Sequence, residues 1–217
     1  MIKVLVVDDH DLVRMGISRM LSDVAGIKVV GEANSGEEAL AFARESEVDV
    51  ILMDVKMPGM GGLEATRKLL SRYPQARVIV VSALDDDLFT ERLMGAGALG
   101  YLTKGATLEE MVKAIHTVVA GDVYISSVVA TRMAMRNVNG KATKASPFDD
   151  LSARELQIAE KIVRGSKVAE IADTLSVSPK TVNSYRYRIF DKLKIHSDVE
   201  LTLLAVKYQL LDPEAAV

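Results

Sequence analysis

The sequence predicts an α/β domain built on a five-stranded parallel, doubly wound sheet, followed by a small all-α domain of four helices. Three observations predict it. Five short apolar runs alternate with amphipathic segments over residues 1–125, whereas the chain beyond residue 150 contains no strand-like run and repeated helix-start signals. Charge divides the chain at the same places. Residues 1–125 carry 13 Lys or Arg against 19 Asp or Glu, net −6; residues 126–150 are net +2 and residues 151–217 net +1.

The predicted strands are IKVLVV, IKVVGEA, VDVILM, ARVIVVSA and LGYLT, in chain order. Runs of Val, Ile and Leu without polar alternation are what strands covered on both faces require. Each is followed by a helical pattern, so successive strands are joined by crossovers and lie parallel. This domain is assigned residues 1–122. Residues 123–149 form a linker, within which SSVVATRMAMR has the spacing of an extra helix. Its end, NVNGKATKASPFD, is polar, aperiodic and interrupted by Gly and Pro. Fully extended, those last residues would reach about 45 Å.

The second domain is assigned residues 150–211. SARE at 152–155 and SDVE at 197–200 are capping boxes, and Ser178-Pro179 offers an N-cap followed by Pro in the first turn. KVAEIADTLSVSPKTVNSYRYRIFDKL reads as helix, short turn, helix. Val168, Ile171, Ala172 and Leu175 form the inner face of the first helix. Val182, Tyr185, Ile189 and Leu193 form the inner stripe of the second.

Composition excludes several kinds of chemistry. With no cysteine, disulfides, thiolate metal sites and a cysteine nucleophile are all ruled out. His10, His116 and His196 show no ligand spacing, which argues against zinc. The N-terminal apolar run turns acidic too soon for a secretory signal, and no stretch approaches the roughly 18 residues of a membrane span. A cytoplasmic protein without membrane association is expected.

The C-terminal ends of strands in a doubly wound sheet share one edge, where ligands bind. The expected strands deliver Asp8 and Asp9, Asp54, Ser82 with Ala83, and Thr103 with Lys104 to that edge. Any one of these residues could simply cap a helix or form an ion pair. Carboxylates from two strands converging with a lysine at an apolar edge need further compensation, which a hard divalent cation supplies. Mg²⁺ (or Mn²⁺) takes oxygen ligands, here Asp9, Asp54 and a nearby backbone carbonyl, with Asp8 orienting a metal-bound water. A carboxylate so held is a nucleophile toward phosphorus. Lys104 would neutralise the phosphoryl charge and Ser82 would offer it a hydroxyl. Pro58, Gly59, Gly61 and Gly62 would shape an open loop above Asp54.

VDDHDLVR, LMDVKMPGMGG, VSA and GYLTKGA, in this order, resemble the receiver domain of two-component response regulators, whose fold is flavodoxin-like. The resemblance spans the first domain. It implies that Asp54 accepts a phosphoryl group from a sensor histidine kinase or phosphotransfer domain. It makes Asp8 and Asp9 the acidic pair, with Lys56 lending its backbone carbonyl to the metal. Ser82, with Ala83, and Tyr101 match the switch positions. Gly105 stands where a proline commonly follows the lysine, and Lys56 and Leu84 flank the phosphoryl site.

On the second helix of the helix-turn-helix, Lys180, Asn183, Ser184 and Tyr187 lie opposite the inner stripe, with Arg188 at its margin. Residues 180–194 hold five Lys or Arg against Asp191 alone, net +4, a local electrostatic footprint for phosphates. Asn pairs with adenine, Ser serves several base edges, and Tyr reaches a thymine methyl or a phosphate. Lys180, Arg188 and Lys192 are suited to holding the backbone; Arg186, near the inner stripe, can do either. Thr181 completes the candidate set. A charged helix face can also be merely solvated.

LSARELQIAEKIVRG, IADTLSVSPKTVNSYRYRIFDKL and DVEL resemble the LuxR-type helix-turn-helix. Together the two resemblances point to the NarL/FixJ class of response regulators, and SPKTVNSYRYRIF is most similar to the GacA/UvrY branch. They imply a transcriptional regulator, not a turnover enzyme, that dimerises on double-stranded promoter DNA through its final helix and works with RNA polymerase. The branch activates genes for small regulatory RNAs of the Csr/Rsm pathway. Two rivals stand beside this reading. Aspartyl-phosphate hydrolases commonly carry a second carboxylate two residues after the nucleophile, where this chain has Lys56. A receiver with an RNA- or protein-binding helical output is the other; RNA modules usually display aromatic platforms or Gly-rich clamps.

Overall fold

A computed structural model describes residues 1–83, 87–138 and 146–208. The chain divides into two compact units, Met1–Lys141 and Ala142–Val217. Leu84, most of the polar end of the expected linker and residues 209–211 of the expected second domain lie outside the described residues.

In the first unit the strands are β1 (Ile2–Val7), β2 (Ile27–Ala33), β3 (Val50–Asp54), β4 (Arg77–Ser82), β5 (Gly100–Thr103) and a short β6 (Tyr124–Ile125). All pair in parallel, in the order β2-β1-β3-β4-β5-β6. The doubly wound expectation holds, with one strand more than the five expected. The added strand falls in the stretch assigned to the linker, and two residues are too few to show any pattern. Its flanking N–H groups bind the β5 edge: Tyr124 N–H donates to the Leu99 carbonyl (2.9 Å) and Ser126 N–H to that of Tyr101 (3.0 Å).

Helices α1 (Asp11–Ser22), α2 (Gly36–Glu45), α3 (Gly61–Arg72), α4 (Asp87–Gly95) and α5 (Leu108–Val119) alternate with the strands, and α6 (Ser127–Val138) is the extra helix its spacing suggested. The apolar runs are buried on both faces because successive side chains point to opposite sides of the sheet. Val4, Val6, Leu52, Ile79, Val81 and Leu102 pack with Ile17 and Leu21 of α1 and Ile115 and Val118 of α5. Leu5, Val7, Ile51, Met53 and Val78 pack on the other side with Ala39 of α2 and Ala65 and Leu69 of α3.

Among the described residues the second unit holds a short 3₁₀ turn (Pro147–Asp150) and the expected four helices: α7 (Ala153–Val163), α8 (Val168–Thr174), α9 (Pro179–Leu193) and α10 (Asp198–Lys207). Ser152 and Glu155 form the capping box that starts α7. Ser178 accepts from Thr181 N–H at the start of α9. At α10 the box is displaced. Ser197 accepts from Glu200 N–H, but the Glu200 carboxylate reaches back to His196 N–H instead of that of Ser197. On α9, Val182, Ile189 and Leu193 of the expected inner stripe are buried, Tyr185 is only half-buried, and Phe190 on the other margin of the stripe is buried as well.

One close approach fixes the loop after β3. Gly62 N–H donates to the Val55 carbonyl (3.0 Å), and a Cβ at Gly62 would stand 2.0 Å from the backbone oxygen of Asp54. No side chain can yield there, because the obstacle is backbone. Gly62→Ala is therefore expected to destabilise the chain by about 2 kcal/mol or more, read as a lower urea midpoint at unchanged slope. A midpoint within error of wild type would contradict this packing.

Candidate functional site

β1 and β3 end side by side at the same edge of the sheet, and the chain leaving β5 passes beside β4 through the Lys104 N–H bond to the Ser82 carbonyl (2.7 Å). Asp8 and Asp54 are each 1 % exposed. Between them lies Lys104, its Nζ 2.8 Å from Asp8 Oδ2 and 3.0 Å from Asp54 Oδ2. The other oxygen of each carboxylate takes a backbone N–H: His10 donates to Asp8 Oδ1 and Val55 to Asp54 Oδ1, both at 2.8 Å. The sheet thus brings together three of the residues that the sequence places at its edge.

Asp9, expected at the same edge, lies at the rim. Ligand-type atoms of Asp8, Asp9, His10 and Asp54 all fall within 4.8 Å of one another. His10 was not expected there, since the isolated positions of the three histidines hid its contact with the carboxylates. The only sequence signal was its place next to Asp8 and Asp9. Ser82 is fully buried at the end of β4, Ala83 is exposed, and Lys56 is half-buried two residues beyond Asp54. Tyr101 is 2 % exposed, so its ring is turned inward.

Two anions against one ammonium leave the site with an excess of negative charge. Burial, reinforced by the neighbouring Asp8, pushes the Asp54 carboxyl up to about 7 despite the opposing pull of Lys104. For Lys104, burial works to lower the value, but hydrogen bonding and attraction to Asp8 and Asp54 outweigh it and raise it above the ordinary lysine range. Asp8 Oδ2 and Asp54 Oδ2 are buried oxygens that share the Lys104 ammonium, and the buried Asp9 Oδ1 accepts no hydrogen bond. Hard oxygen donors, surplus negative charge and unsatisfied lone pairs at one point fit a divalent cation.

The candidate DNA residues separate into two groups. Lys180, Ser184, Tyr187 and Arg188 are exposed on one side of α9, with Thr181 and Asn183 half-buried beside them. The Arg188 guanidinium stands 5.5 Å from the centre of the Tyr185 ring. Arg186 and Lys192, also expected to contact DNA, are committed within the domain. Arg186 forms a bidentate pair with Asp198, Nε at 2.7 Å and the terminal nitrogen at 2.5 Å. Lys192 Nζ lies 2.6 Å from Glu155 Oε2 and 3.1 Å from the Asp150 carbonyl. Burial tends to raise the Glu155 carboxyl, but Lys192 and the Ser152 hydrogen bonds outweigh it and hold it below the usual carboxylate range. These partners lie on α10, α7 and the 3₁₀ turn, so no spacing along α9 could have revealed them. Among the described residues, no helix is long and apolar enough to cross a membrane.

Comparison with known proteins agrees with both halves of this description. Residues 4–116 match the response regulator receiver domain, and residues 149–205 match the bacterial regulatory proteins of the luxR family. The chain is 59 % identical to the response regulator GacA of Pseudomonas aeruginosa over 98 % of its length and 99 % of that protein. It is 52 % identical to the response regulator UvrY of Escherichia coli, over 99 % of this chain and 98 % of that one. A solved structure of the Salmonella typhimurium RcsB response regulator shares the fold, at 22 % identity and a TM-score of 0.60, covering 95 % of this chain and 98 % of that one. These are regulators with a DNA-binding output and not turnover enzymes. A receiver that carries its carboxylates at a sheet edge, joined to a LuxR-type helical domain, places this chain in the two-component response regulator family.

Proposed function

We propose that Asp54 is the phosphoryl acceptor through which a sensor histidine kinase or phosphotransfer domain controls DNA binding by the helical domain. The observation that carries this reading is the convergence of Asp54 Oδ2 and Asp8 Oδ2 on the single ammonium of Lys104 in a buried edge of the sheet. In the transfer, an Asp54 oxygen bonds to phosphorus as the P–N bond of the phosphohistidine breaks, and the departing imidazole keeps the electron pair and takes a proton. Asp9, Asp54 and the Lys56 carbonyl would hold Mg²⁺ (or Mn²⁺), with Asp8 acting through a water. A cation held there would offset phosphoryl and carboxylate charge. Lys104 is placed to follow the new charge as it moves from Asp54 outward, and Ser82, with the neighbouring Ala83 backbone, to receive a phosphoryl oxygen.

Tyr101 couples the site to the rest of the receiver. Its ring already lies inward, so phosphorylation on this reading stabilises an arrangement the protein can adopt without it. In the helical domain, Lys180, Thr181, Asn183, Ser184, Tyr187 and Arg188 face the duplex. Arg186 and Lys192 keep α9 seated against Asp198 and Glu155. The protein binds promoter DNA as a homodimer and acts with RNA polymerase. The likeness to GacA and UvrY supports small regulatory RNA genes of the Csr/Rsm pathway as its targets.

Binding to promoter duplex, measured with and without a small phosphodonor and Mg²⁺, should strengthen for wild type and not for Asp54→Ala. Equal enhancement of both proteins would contradict control through Asp54. An excess of single-stranded RNA should fail to displace the duplex; efficient displacement would favour an RNA-binding output.

The ionisation of Asp54 gives a second test. Its folded-state value lies above the ordinary one, so the folded chain binds more protons than the unfolded chain between about pH 4 and pH 7. In chelator, the contribution of Asp54 to stability therefore falls as pH rises through that window. Asp54→Asn removes the penalty and should stabilise the metal-free protein by about 1–3 kcal/mol at pH 8, with little effect near pH 4, as judged by urea unfolding. A variant that is destabilised at pH 8 would contradict the electrostatics assigned to the site.

A further inference from the structure

His10 occupies the N-cap of α1, yet its side chain makes no capping hydrogen bond. Its backbone N–H is tied to Asp8 Oδ1 at 2.8 Å, and its ring reaches back over the carboxylates. Nδ1 stands 2.8 Å from Asp9 Oδ1 and 3.3 Å from Asp8 Oδ1. The shorter contact is not an aligned N–H···O bond, because Asp9 Oδ1 is buried and accepts none. Nitrogen and oxygen are instead neighbours along an edge, as two ligands of one ion are. Around an octahedral cation with bonds of about 2.1 Å, adjacent donors lie about 3.0 Å apart. The separation of Nδ1 from Asp9 Oδ1 is close to that edge, and Asp8 Oδ1, which already accepts the His10 backbone N–H, lies farther off. On the far side, Asp8 Oδ2 and Asp54 Oδ2 belong to side chains almost wholly removed from solvent and share the Lys104 ammonium, at 2.8 and 3.0 Å.

We propose that Nδ1 of His10 is a ligand of the divalent cation held by Asp9 and Asp54, and that this nitrogen tilts the site toward borderline transition-metal ions over Mg²⁺. The assignment rests on the reading of the carboxylate cluster as a metal site. It adds a preference that an all-oxygen set lacks. Imidazole nitrogen contributes little to the binding of Mg²⁺, a hard ion that retains its waters, and much to the binding of Co²⁺ and its neighbours. His10 also directly follows Asp9 in the chain, so the nitrogen donor arrives with the acidic pair and needs no additional element to place it. The ring is mostly exposed, with a side-chain accessibility of 65 %, so its removal leaves the core intact.

The test is calorimetric titration of the full-length, tag-free chain with Mg²⁺, Mn²⁺ and Co²⁺ at one mildly alkaline pH, for wild type, His10→Ala and His10→Gln. Both variants are expected to lose about tenfold or more in Co²⁺ affinity while holding Mg²⁺ within about twofold. Pulsed EPR of the Mn²⁺-loaded wild type should show coupling to an imidazole ¹⁴N that both variants lack; His116 and His196, present in all three proteins, serve as internal controls. An unchanged ratio of Co²⁺ to Mg²⁺ affinity, with no ¹⁴N coupling lost, overturns the assignment of His10 while leaving the carboxylate site in place. Failure of all three proteins to bind any of the ions overturns the carboxylate site and the His10 assignment together.

Discussion

Asp8 and Asp54 meet at a sheet edge where water cannot solvate them, and the Lys104 ammonium lies between them. Two carboxylates with one cation in a low-dielectric setting cannot balance by themselves. In the metal-free chain the imbalance shows as a proton affinity at Asp54 far above that of an ordinary aspartate. A proton, a divalent cation or a change in the charge on Asp54 itself can each relieve it. The site is thus responsive because the fold leaves it short of positive charge.

The rest of the receiver holds that arrangement in place. Parallel register between β1 and β3 sets their ends level, and strands buried on both faces cannot slip without exposing a whole row of apolar side chains. Gly62 lets the loop after β3 fold tightly against the Asp54 carbonyl, where any side chain would collide with backbone. The Lys104 N–H bond to Ser82 ties the lysine to β4. Movement at the carboxylate cluster would therefore be shared by β4 and β5, and Tyr101, paired with Ile125 of β6, sits on that route.

Much of this was legible in the chain. Unbroken Val, Ile and Leu runs announced the sheet, and their terminal residues announced which side chains share its edge, because topology alone decides that meeting. Ser152, Ser178 and Ser197 marked helix starts through local hydrogen-bonding chemistry. What stayed hidden depended on pairings across the fold. A two-residue strand has no periodicity to read. Whether Lys192 faces a phosphate or Glu155 depends on where α7 packs, and the same holds for Arg186 and Asp198. The contact of His10 is hidden for a related reason: spacing between histidines says nothing of a ring whose partners are the carboxylates beside it.

The most direct test of the role proposed for Asp54 is to locate the phosphoryl group chemically. The chain would be treated with a small phosphodonor and Mg²⁺, trapped by hydride reduction that converts aspartyl phosphate to homoserine, and mapped by peptide mass spectrometry. The role assigned to the buried cluster predicts homoserine at position 54 and its loss when Lys104 is replaced by Ala. Homoserine elsewhere, or none at position 54 in a folded and metal-loaded protein, would contradict it.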